Sequence, residues 1–414
     1  MLVRTVLNHC SRFESFVYKH VALESNRIVV DLVPRKGSRG RCGQCSRRGT
    51  TYDTARTPRA FEFIPLWGIA VFFLYCMRRI DCRWCGVTTE RVPWADGKNQ
   101  TCNAYRLFLA RWARRMSWSE VARSFNVSWN IVYRSIAWVV EYGLAHRNLE
   151  GVEAIGVDEM AVWSGHRYIT VVYQIDQNIK RLLWVGRDRT AATLEGFFTL
   201  FGAARAKALY FVASDMWKPY INVVERWATQ AVHVLDRFHV VAKLNKAVDE
   251  VRAKETRELA KHGKGEVLKH SRWCVLKNPE NLTDAQRLKL RDVLQYNLRT
   301  VRAWLLKDAF TAFWTYKSPH WAGWFLDQWC KRAMRSRLDP IKRFARTMRQ
   351  HRTLLLNWFV ARKTISSGVV EAMNANAKLT VRRARGFKSY EVVEIALYHT
   401  LGQLPEPEFT HRFC

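Results

Sequence analysis

The spacing of apolar and polar residues divides the chain into regions of different secondary structure. From residue 152 the runs VEAIGVDEM, HRYITVVYQID and RLLWVGRD are rich in β-forming residues and predict three strands joined by short turns. The stretch ATLEGFFTLFGAARAK then predicts an amphipathic helix, and ALYFVASD predicts a fourth strand. The handedness of crossover connections places this fourth strand parallel to the first.

Two patterns precede this segment. The apolar run from Ile64 to Met77 is shorter than the roughly 20 residues of a membrane helix, and it predicts a buried strand. Residues 103 to 143 predict helices. Among them, Ser117 and Glu120 have the spacing of a capping box, and Ser128 has the position of an N-cap for a second helix after a short turn.

This two-helix pattern fits a helix-turn-helix, although an ordinary αα-hairpin has the same spacing. Arg114 and Arg115 precede the pair and favour DNA as the partner. The outward face of the second predicted helix carries side chains that suit base edges and phosphates in a major groove: Trp129, Asn130, Tyr133 and Arg134.

A long helical segment follows the fourth strand. The run AVHVL predicts one more short strand, and most of residues 245 to 355 predict an α-helical insertion whose aromatic residues form its core or contact DNA. Between them, Asp236 and His239 lie one helical turn apart. They are candidates for groups beside a catalytic centre, for DNA contacts, or for a helix cap with a buried histidine.

Three acidic residues have positions that suit catalysis. Asp158 ends the first strand of the α/β segment, Asp215 ends the fourth, and Glu371 lies in a predicted helix. Such carboxylates can hold two Mg²⁺ ions, or Mn²⁺ in their place, and two ions can activate a hydroxyl against a phosphodiester. In this arrangement Asp158 bridges the ions, and Asn374 and Lys378 share the helix face of Glu371.

The charge of the chain indicates which phosphodiester is the substrate. The sequence has 68 Lys and Arg against 36 Asp and Glu, a net charge of +32 that is spread along its length. A field of this size favours a polyanion, and we expect double-stranded DNA. The cations nearest the acidic residues predict backbone contacts: Lys218, Arg382, Arg383, Arg385 and Lys388.

Two CxxC pairs near the N-terminus predict a structural zinc site. Cys42 and Cys45 form the first pair, and Cys82 and Cys85 form the second. Four thiolates complete a tetrahedral Zn²⁺ site, and we expect Gly43 and Gly86 to allow the tight turns of a zinc ribbon. Four unrelated buried cysteines are the alternative.

These patterns together predict an α/β fold with a ribonuclease H-like core. An α-helical insertion interrupts the core, and a zinc ribbon and a helix-turn-helix precede it. The expected domains are residues 1–100, 101–148, 149–244, 245–355 and 356–414. The N-terminus lacks a signal-peptide pattern, which predicts a cytoplasmic, nucleoid-associated protein with reduced cysteines and no membrane partner.

Three blocks resemble the ISL3 family of bacterial insertion-sequence transposases: GVDEMAVWSGHRYITVVYQID, ASDMWKPYI with AVHVLDRFHVVAKLN, and SSGVVEAMNANAKLTVRRARGFKSYE. The resemblance implies a DDE transposase with Asp158, Asp215 and Glu371 as metal ligands. It also implies that DRFH is the aspartate-and-histidine motif that follows the second catalytic aspartate in this family.

A transposase of this kind would bind terminal inverted repeats, cleave at the ends of its element and join the 3′-hydroxyls to target DNA. Because such enzymes act on two ends at once, we expect a homodimer or a higher assembly. The alternatives are a DNA-binding regulator that kept the fold but lost catalysis, and a junction-resolving nuclease. The intact acidic triad argues against the regulator, and the CxxC pairs and long insertion argue against the nuclease.

Overall fold

The computed structural model describes residues 3–163, 167–361, 367–383, 387 and 389–408. These residues form two compact units. The first unit contains the described residues up to Asn148 together with those from Leu379 onward, and the second contains those from Leu149 to Lys378.

The first unit begins with helix α1 (Val3–Cys10) and eight strands. The strands are β1 (Phe16–Glu24), β2 (Arg27–Pro34), β3 (Gly40–Arg41), β4 (Arg48–Thr54), β5 (Arg59–Leu66), β6 (Ile69–Tyr75), β7 (Arg78–Cys82) and β8 (Gly86–Thr89). They form two four-stranded sheets, in the orders β1-β2-β6-β5 and β3-β4-β7-β8. Trp94 is buried in the first unit, where its ring contacts those of Phe16, Phe61 and Tyr75.

The prediction of one buried strand from Ile64 to Met77 is wrong. Strand β5 ends at Leu66 and β6 begins at Ile69, and the two strands pair in antiparallel fashion. Trp67 and Gly68 between them both have positive φ, at 52° and 79°, as a two-residue hairpin turn requires. The apolar pattern hid this turn because Trp67 continues the hydrophobic run although its side chain is exposed.

Three helices complete this part of the first unit: α2 (Asn103–Ala113), α3 (Trp118–Ser124) and α4 (Trp129–His146). The predicted capping box of Ser117 and Glu120 is confirmed at the start of α3. The predicted N-cap is also confirmed, because Ser128 Oγ accepts a hydrogen bond from the Ile131 amide at 3.3 Å. Asn126 turns the chain between the two helices with φ at 50°.

The second unit contains a five-stranded sheet. Its strands are β9 (Ala154–Trp163), β10 (Arg167–Ile175), β11 (Lys180–Arg187), β12 (Phe211–Ser214) and β13 (Val232–Leu235), in the order β11-β10-β9-β12-β13. The first three strands are antiparallel neighbours. As predicted, β12 lies parallel to β9, and β13 continues the parallel half of the sheet.

Helices connect and extend this sheet. The crossover from β11 to β12 contains α5 (Ala191–Phe201) and α6 (Ala203–Ala208), and α7 (Lys218–Trp227) joins β12 to β13. Ile155 and Val157 of β9 pack against Leu194 and Phe198 of α5 in one buried cluster. Because side chains alternate along a strand, Gly156 and Asp158 face the opposite side of the sheet.

The insertion is helical where the structure describes it, and it begins directly after β13. Its helices are α8 (Arg237–Lys261), α9 (Arg272–Leu276), α10 (Asp284–Leu294), α11 (Arg299–Thr311), α12 (Pro319–Arg335), α13 (Asp339–Gln350) and α14 (Arg352–Val360). Phe310, Phe313 and Trp329 are fully buried in its core. Trp321 and Trp324 are more than half exposed, so the aromatic residues divide between core and surface.

Helix α15 (Ser367–Arg383) follows the insertion, and α16 (Tyr390–Leu401) packs against α4 in the first unit. The part of α15 in the second unit lies over β9. A Cβ at Gly156 would lie 2.5 Å from Val370 Cγ2, so glycine permits this close approach. Within the described residues, we find no helix that is long and apolar enough to cross a membrane.

Candidate active site and metal centre

The prediction that Asp158 ends the first strand is wrong. Asp158 lies near the middle of β9, which continues to Trp163, on the face of the sheet that α15 covers. Its Oδ2 accepts a hydrogen bond from Asn374 Nδ2, and Tyr173 Oη donates to Asn374 Oδ1 at 2.8 Å. Tyr173 is fully buried and Asn374 nearly so. Because the tyrosine fixes the orientation of the amide, this chain of hydrogen bonds holds the Asp158 carboxylate in one position.

Asp215 follows β12 directly. Its Oδ1 accepts the Trp217 amide at 2.9 Å, and its Oδ2 lies 3.7 Å from Arg189 Nη2. Since β12 lies beside β9, this carboxylate is near that of Asp158. Burial is the main cause that raises the pKa of Asp158, and the negative charges of Asp236 and Asp215 raise it further.

Asp236 and His239 lie at the start of α8. Asp236 is the N-cap of that helix, and its Oδ1 accepts the Phe238 amide at 2.7 Å. His239 Nε2 lies 3.7 Å from Asp236 Oδ2 and 3.7 Å from Asp158 Oδ1. Asp236 is therefore a helix cap, but His239 is not a buried histidine, since a third of its side chain is exposed beside two carboxylates.

Glu371 lies on α15, three residues before Asn374, and its side chain is exposed. In the described parts of the chain, a single group of three or more acidic, histidine or cysteine side chains has all its ligand atoms within 4.8 Å of one another, and that group is the four cysteines. The carboxylates of Asp158, Asp215 and Glu371 are thus not brought to such mutual distances. Glu371 stays a prediction that rests on its place in the helix docked on Asp158.

Glu159, the residue after Asp158 on β9, was not among the predicted site residues, and the structure places it in the same electrostatic environment. Its Oε1 lies 2.5 Å from Arg189 Nε, without the alignment of a hydrogen bond, and Arg189 also stacks on Trp217. Burial raises the pKa of Glu159 to about 7, and the charge of Asp215 adds to this increase. No spacing in the sequence indicates this pair, because Glu159 lies on β9 and Arg189 lies in the bend that follows β11.

The four predicted zinc ligands form one group in the first unit, and they are not unrelated buried cysteines. The sulfur atoms of Cys42, Cys45, Cys82 and Cys85 lie within 4.8 Å of one another. A hydrogen bond with the Thr88 hydroxyl lowers the pKa of Cys42 to about 6, whereas hydrogen bonding with Cys45 raises that of Cys85. One thiolate forms readily, and its neighbours oppose the ionisation of another; a bound Zn²⁺ would relieve this opposition.

The two glycines expected to form the knuckle turns have different roles. Gly86 follows the second CxxC pair with φ at 71°, as a tight turn requires. The equivalent position after the first pair is Ser46, with φ at 59°. Gly43 is needed for space instead, because a Cβ there would collide with the Thr89 carbonyl oxygen.

The predicted outward face of α4 is largely accessible. Trp129, Asn130 and Arg134 are exposed, and Tyr133 is half-buried with its ring stacked on Trp129. The two arginines before α3 differ. Arg115 is exposed, whereas Arg114 pairs with Glu406 at 2.7 Å and donates to the His399 carbonyl.

The remaining predicted DNA contacts are exposed cations. Lys218 is the first residue of α7, and Lys378, Arg382 and Arg383 lie along the second half of α15. Each side chain is exposed. The last two candidates, Arg385 and Lys388, lie outside the described residues.

A family model described as a transposase, of the DDE type named for ISL3, matches residues 155–397, which is more than half of the chain. The chain belongs to the ISL3 family of DDE transposases. The matched segment runs from β9 to α16 and contains Asp158, Asp215, Asp236 and Glu371. The transposase is 28% identical to the transposase for insertion sequence element IS1001 of Bordetella parapertussis, over 84% of this chain and 86% of the relative.

It is also 28% identical to the transposase for insertion sequence element IS1557 of Mycobacterium tuberculosis, over 92% of this chain and 90% of the relative. This second similarity covers 92% of the chain, so it extends beyond residues 155–397 and includes the cysteine group. The ISL3-family transposase therefore acts in DNA transposition, and its family implies the use of a divalent metal.

Proposed function

We propose that this transposase binds the terminal inverted repeats of its insertion sequence, cleaves at the ends and joins the 3′-hydroxyls to target DNA. The observation that carries the proposal is the group formed by Asp158, Asp236 and His239, with Asp215 at the next strand end. The strand order, with three antiparallel strands followed by two parallel ones, supports a ribonuclease H-like core.

The side chains of this site fit a divalent cation. Its donor atoms are carboxylate oxygens, which Mg²⁺ and Mn²⁺ prefer. Burial and repulsion by neighbouring carboxylates raise the pKa of Asp158, and a bound cation would offset both effects. We assign Asp158, Asp215 and Glu371 as the residues that would hold two ions. When bound, the ions supply charge neutralisation and an activated oxygen nucleophile.

The residues around these carboxylates hold and orient them. Asn374 fixes one oxygen of Asp158, and His239 lies between Asp158 and Asp236, where a protonated imidazole would offset their charge. Lys378 lies one turn beyond Asn374 on α15 and would contact the DNA backbone near the cut.

The first unit would recognise the DNA ends. We assign α3 and α4 as a helix-turn-helix whose second helix enters the major groove with Trp129, Asn130, Tyr133 and Arg134. The exposed cations Arg115, Lys218, Arg382 and Arg383 would bind phosphates. One structural Zn²⁺ in the cysteine group would hold together the two turns of the β3-β4-β7-β8 sheet. Because two ends must be joined, the active form would be a homodimer or a larger assembly.

Cleavage of end-labelled DNA tests the proposal. The wild-type chain is incubated with duplexes from the ends of its element and Mg²⁺, beside Asp158→Ala, Asp215→Ala and Glu371→Ala. We expect each substitution to reduce strand cleavage by at least about 10³-fold, as removal of a catalytic metal ligand does, with end binding retained.

Glu225→Ala is the matched control, because Glu225 is an exposed carboxylate on α7 that faces no member of the site. It should cleave at the wild-type rate. Equal cleavage by the wild type and the Asp215→Ala variant would overturn the site assignment. A wild-type chain that binds the ends but cleaves under neither Mg²⁺ nor Mn²⁺ would favour a regulator.

A further inference from the structure

The helical insertion carries a cationic groove of about 770 Å³. Residues of α8 line it together with the turn between α12 and α13 and the start of α13. Three acidic residues, Asp249, Glu250 and Asp339, also line the groove. The cations outnumber them at seven: Lys246, Lys254, Arg257, Arg272, Arg299, Arg337 and Arg343.

Ion pairs neutralise part of this charge. Arg272 lies 3.2 Å from Asp249, Arg343 lies 2.5 Å from Glu250, and Arg299 pairs with Glu258. Four cations remain, and across the described chain we find no carboxylate within 4.0 Å of them: Lys246, Lys254, Arg257 and Arg337. All four are exposed, so the groove has a net positive charge that the protein itself does not balance.

Three of these four cations share one face of α8. Lys246, Lys254 and Arg257 are eleven positions apart at most, so they extend over roughly 16 Å of helix at 1.5 Å per residue. That length corresponds to about five base-pair steps of 3.4 Å. Like charges arranged in a row along a groove repel each other, and a polyanion that follows the groove removes this repulsion.

We propose that this groove binds the phosphate backbone of double-stranded DNA, as a surface additional to those assigned above. The partner class rests on the proposed function, because transposition supplies duplex DNA that the insertion can contact. No aromatic side chain lines the groove among the described residues, so base stacking, which single strands use, is not available there. Backbone contacts by Lys and Arg are sequence-independent.

The salt dependence of binding tests this proposal with matched variants. Lys254→Ala/Arg257→Ala removes two groove cations, and Lys331→Ala/Arg332→Ala removes the same residue types from an exposed part of α12 that does not line the groove. Each full-length chain is titrated with a fluorescent 30-bp duplex of arbitrary sequence over a NaCl series. Unchanged melting temperatures establish that both variants fold.

We expect the groove variant to reduce the slope of log K against log [NaCl] by about 2, at roughly 0.9 per phosphate contact, and the α12 variant to leave it unchanged. Equal slopes in the two variants would overturn the proposal. An equal reduction of the slope when the groove variant binds a single-stranded 30-mer would also overturn it. The outcome is separable from the proposed function. If cleavage depends on Asp158 but the groove variant keeps the wild-type slope, only the groove proposal is rejected. If the groove variant has a reduced slope but the wild type does not cleave DNA, only the proposed catalysis is rejected.

Discussion

The two groups of candidate metal ligands in this transposase are built in opposite ways. The four thiols of the first unit lie within 4.8 Å of one another. They come from two short turns that adjacent strands of one sheet hold in register. The carboxylates of the second unit come from the middle of β9, the end of β12, the start of α8 and α15, and they do not reach comparable mutual distances.

Charge explains this difference. A thiol is less acidic than a carboxyl group, so a cluster of thiols carries less negative charge than a cluster of carboxylates. Ionised carboxylates repel each other, and burial penalises them further, as the raised pKa of Asp158 shows. The cysteine group therefore has the character of a structural site, closed and local. In the function proposed above, the carboxylate group is the catalytic site, and a divalent cation and the substrate would complete it.

The largest effect is expected when the cysteine group is broken. Cys45→Ser/Cys85→Ser changes the two more accessible thiols, so a cavity in the core does not explain the result. We expect the zinc content to fall from one ion per chain to none and the first unit to lose its cooperative melting. Structural zinc contributes about 10–16 kcal/mol in small finger domains. Elemental analysis and calorimetry measure both quantities.

Cys76→Ser is the control for this experiment, since Cys76 is half-buried in the same unit but outside the group. It should retain the metal and the melting transition. Wild-type protein that is purified without chelator, is folded and contains no metal would refute the zinc assignment.

A smaller effect is expected from the residue that orients Asp158. Asn374→Ala removes the amide that donates to Asp158 Oδ2, so we expect cleavage to slow by about 10²-fold, the usual cost of a misplaced catalytic group. Binding of end DNA should not change. Tyr173→Phe, which removes only the hydrogen bond that fixes the amide, should have a weaker effect in the same direction.

Asn376→Ala, an exposed position on the same helix, is the matched control. If Asn374→Ala and Asn376→Ala cleave equally fast, Asn374 has no positioning role. If Asn374→Ala weakens end binding and leaves the cleavage rate of bound DNA intact, then Asn374 contacts DNA instead.

The smallest expected effect is a change in melting temperature, and its sign should differ between the carboxylate group and the cysteine group. Asp158→Asn removes a buried charge, and in EDTA we expect the second unit to melt higher by about 2–4 °C, the shift that ~1 kcal/mol produces in a domain of this size. Removal of a cysteine ligand should lower the melting temperature instead. Differential scanning calorimetry with and without Mg²⁺ measures the sign.

Asp188→Asn is the control, because Asp188 is exposed and has φ at 72°, a conformation that asparagine also tolerates. Its melting temperature should not change. A lower melting temperature for Asp158→Asn in EDTA would mean that the carboxylate stabilises the fold without metal. That result would contradict the inference that burial and repulsion make the ionised carboxylate unfavourable.

Local patterns were predictable where a few neighbouring residues decide the structure. The capping box of Ser117, the N-cap of Ser128 and the parallel placement of β12 follow from short-range chemistry and chain handedness, and all three are confirmed. The hairpin at Trp67 was missed because an exposed tryptophan continued an apolar run. The Arg189–Glu159 pair was missed because Glu159 lies on β9, whereas Arg189 lies in the bend after β11, far along the chain.

The sequence by itself determined the family, the cysteine spacing and the residue types of the acidic site, because each of these is a property of short continuous segments of the chain. Only the tertiary structure decided that Asn374 binds Asp158, that His239 lies between two carboxylates, and that unpaired cations of α8 share a groove with Arg337. These contacts join residues distant along the chain, and their partners are chosen by packing, which no local pattern specifies.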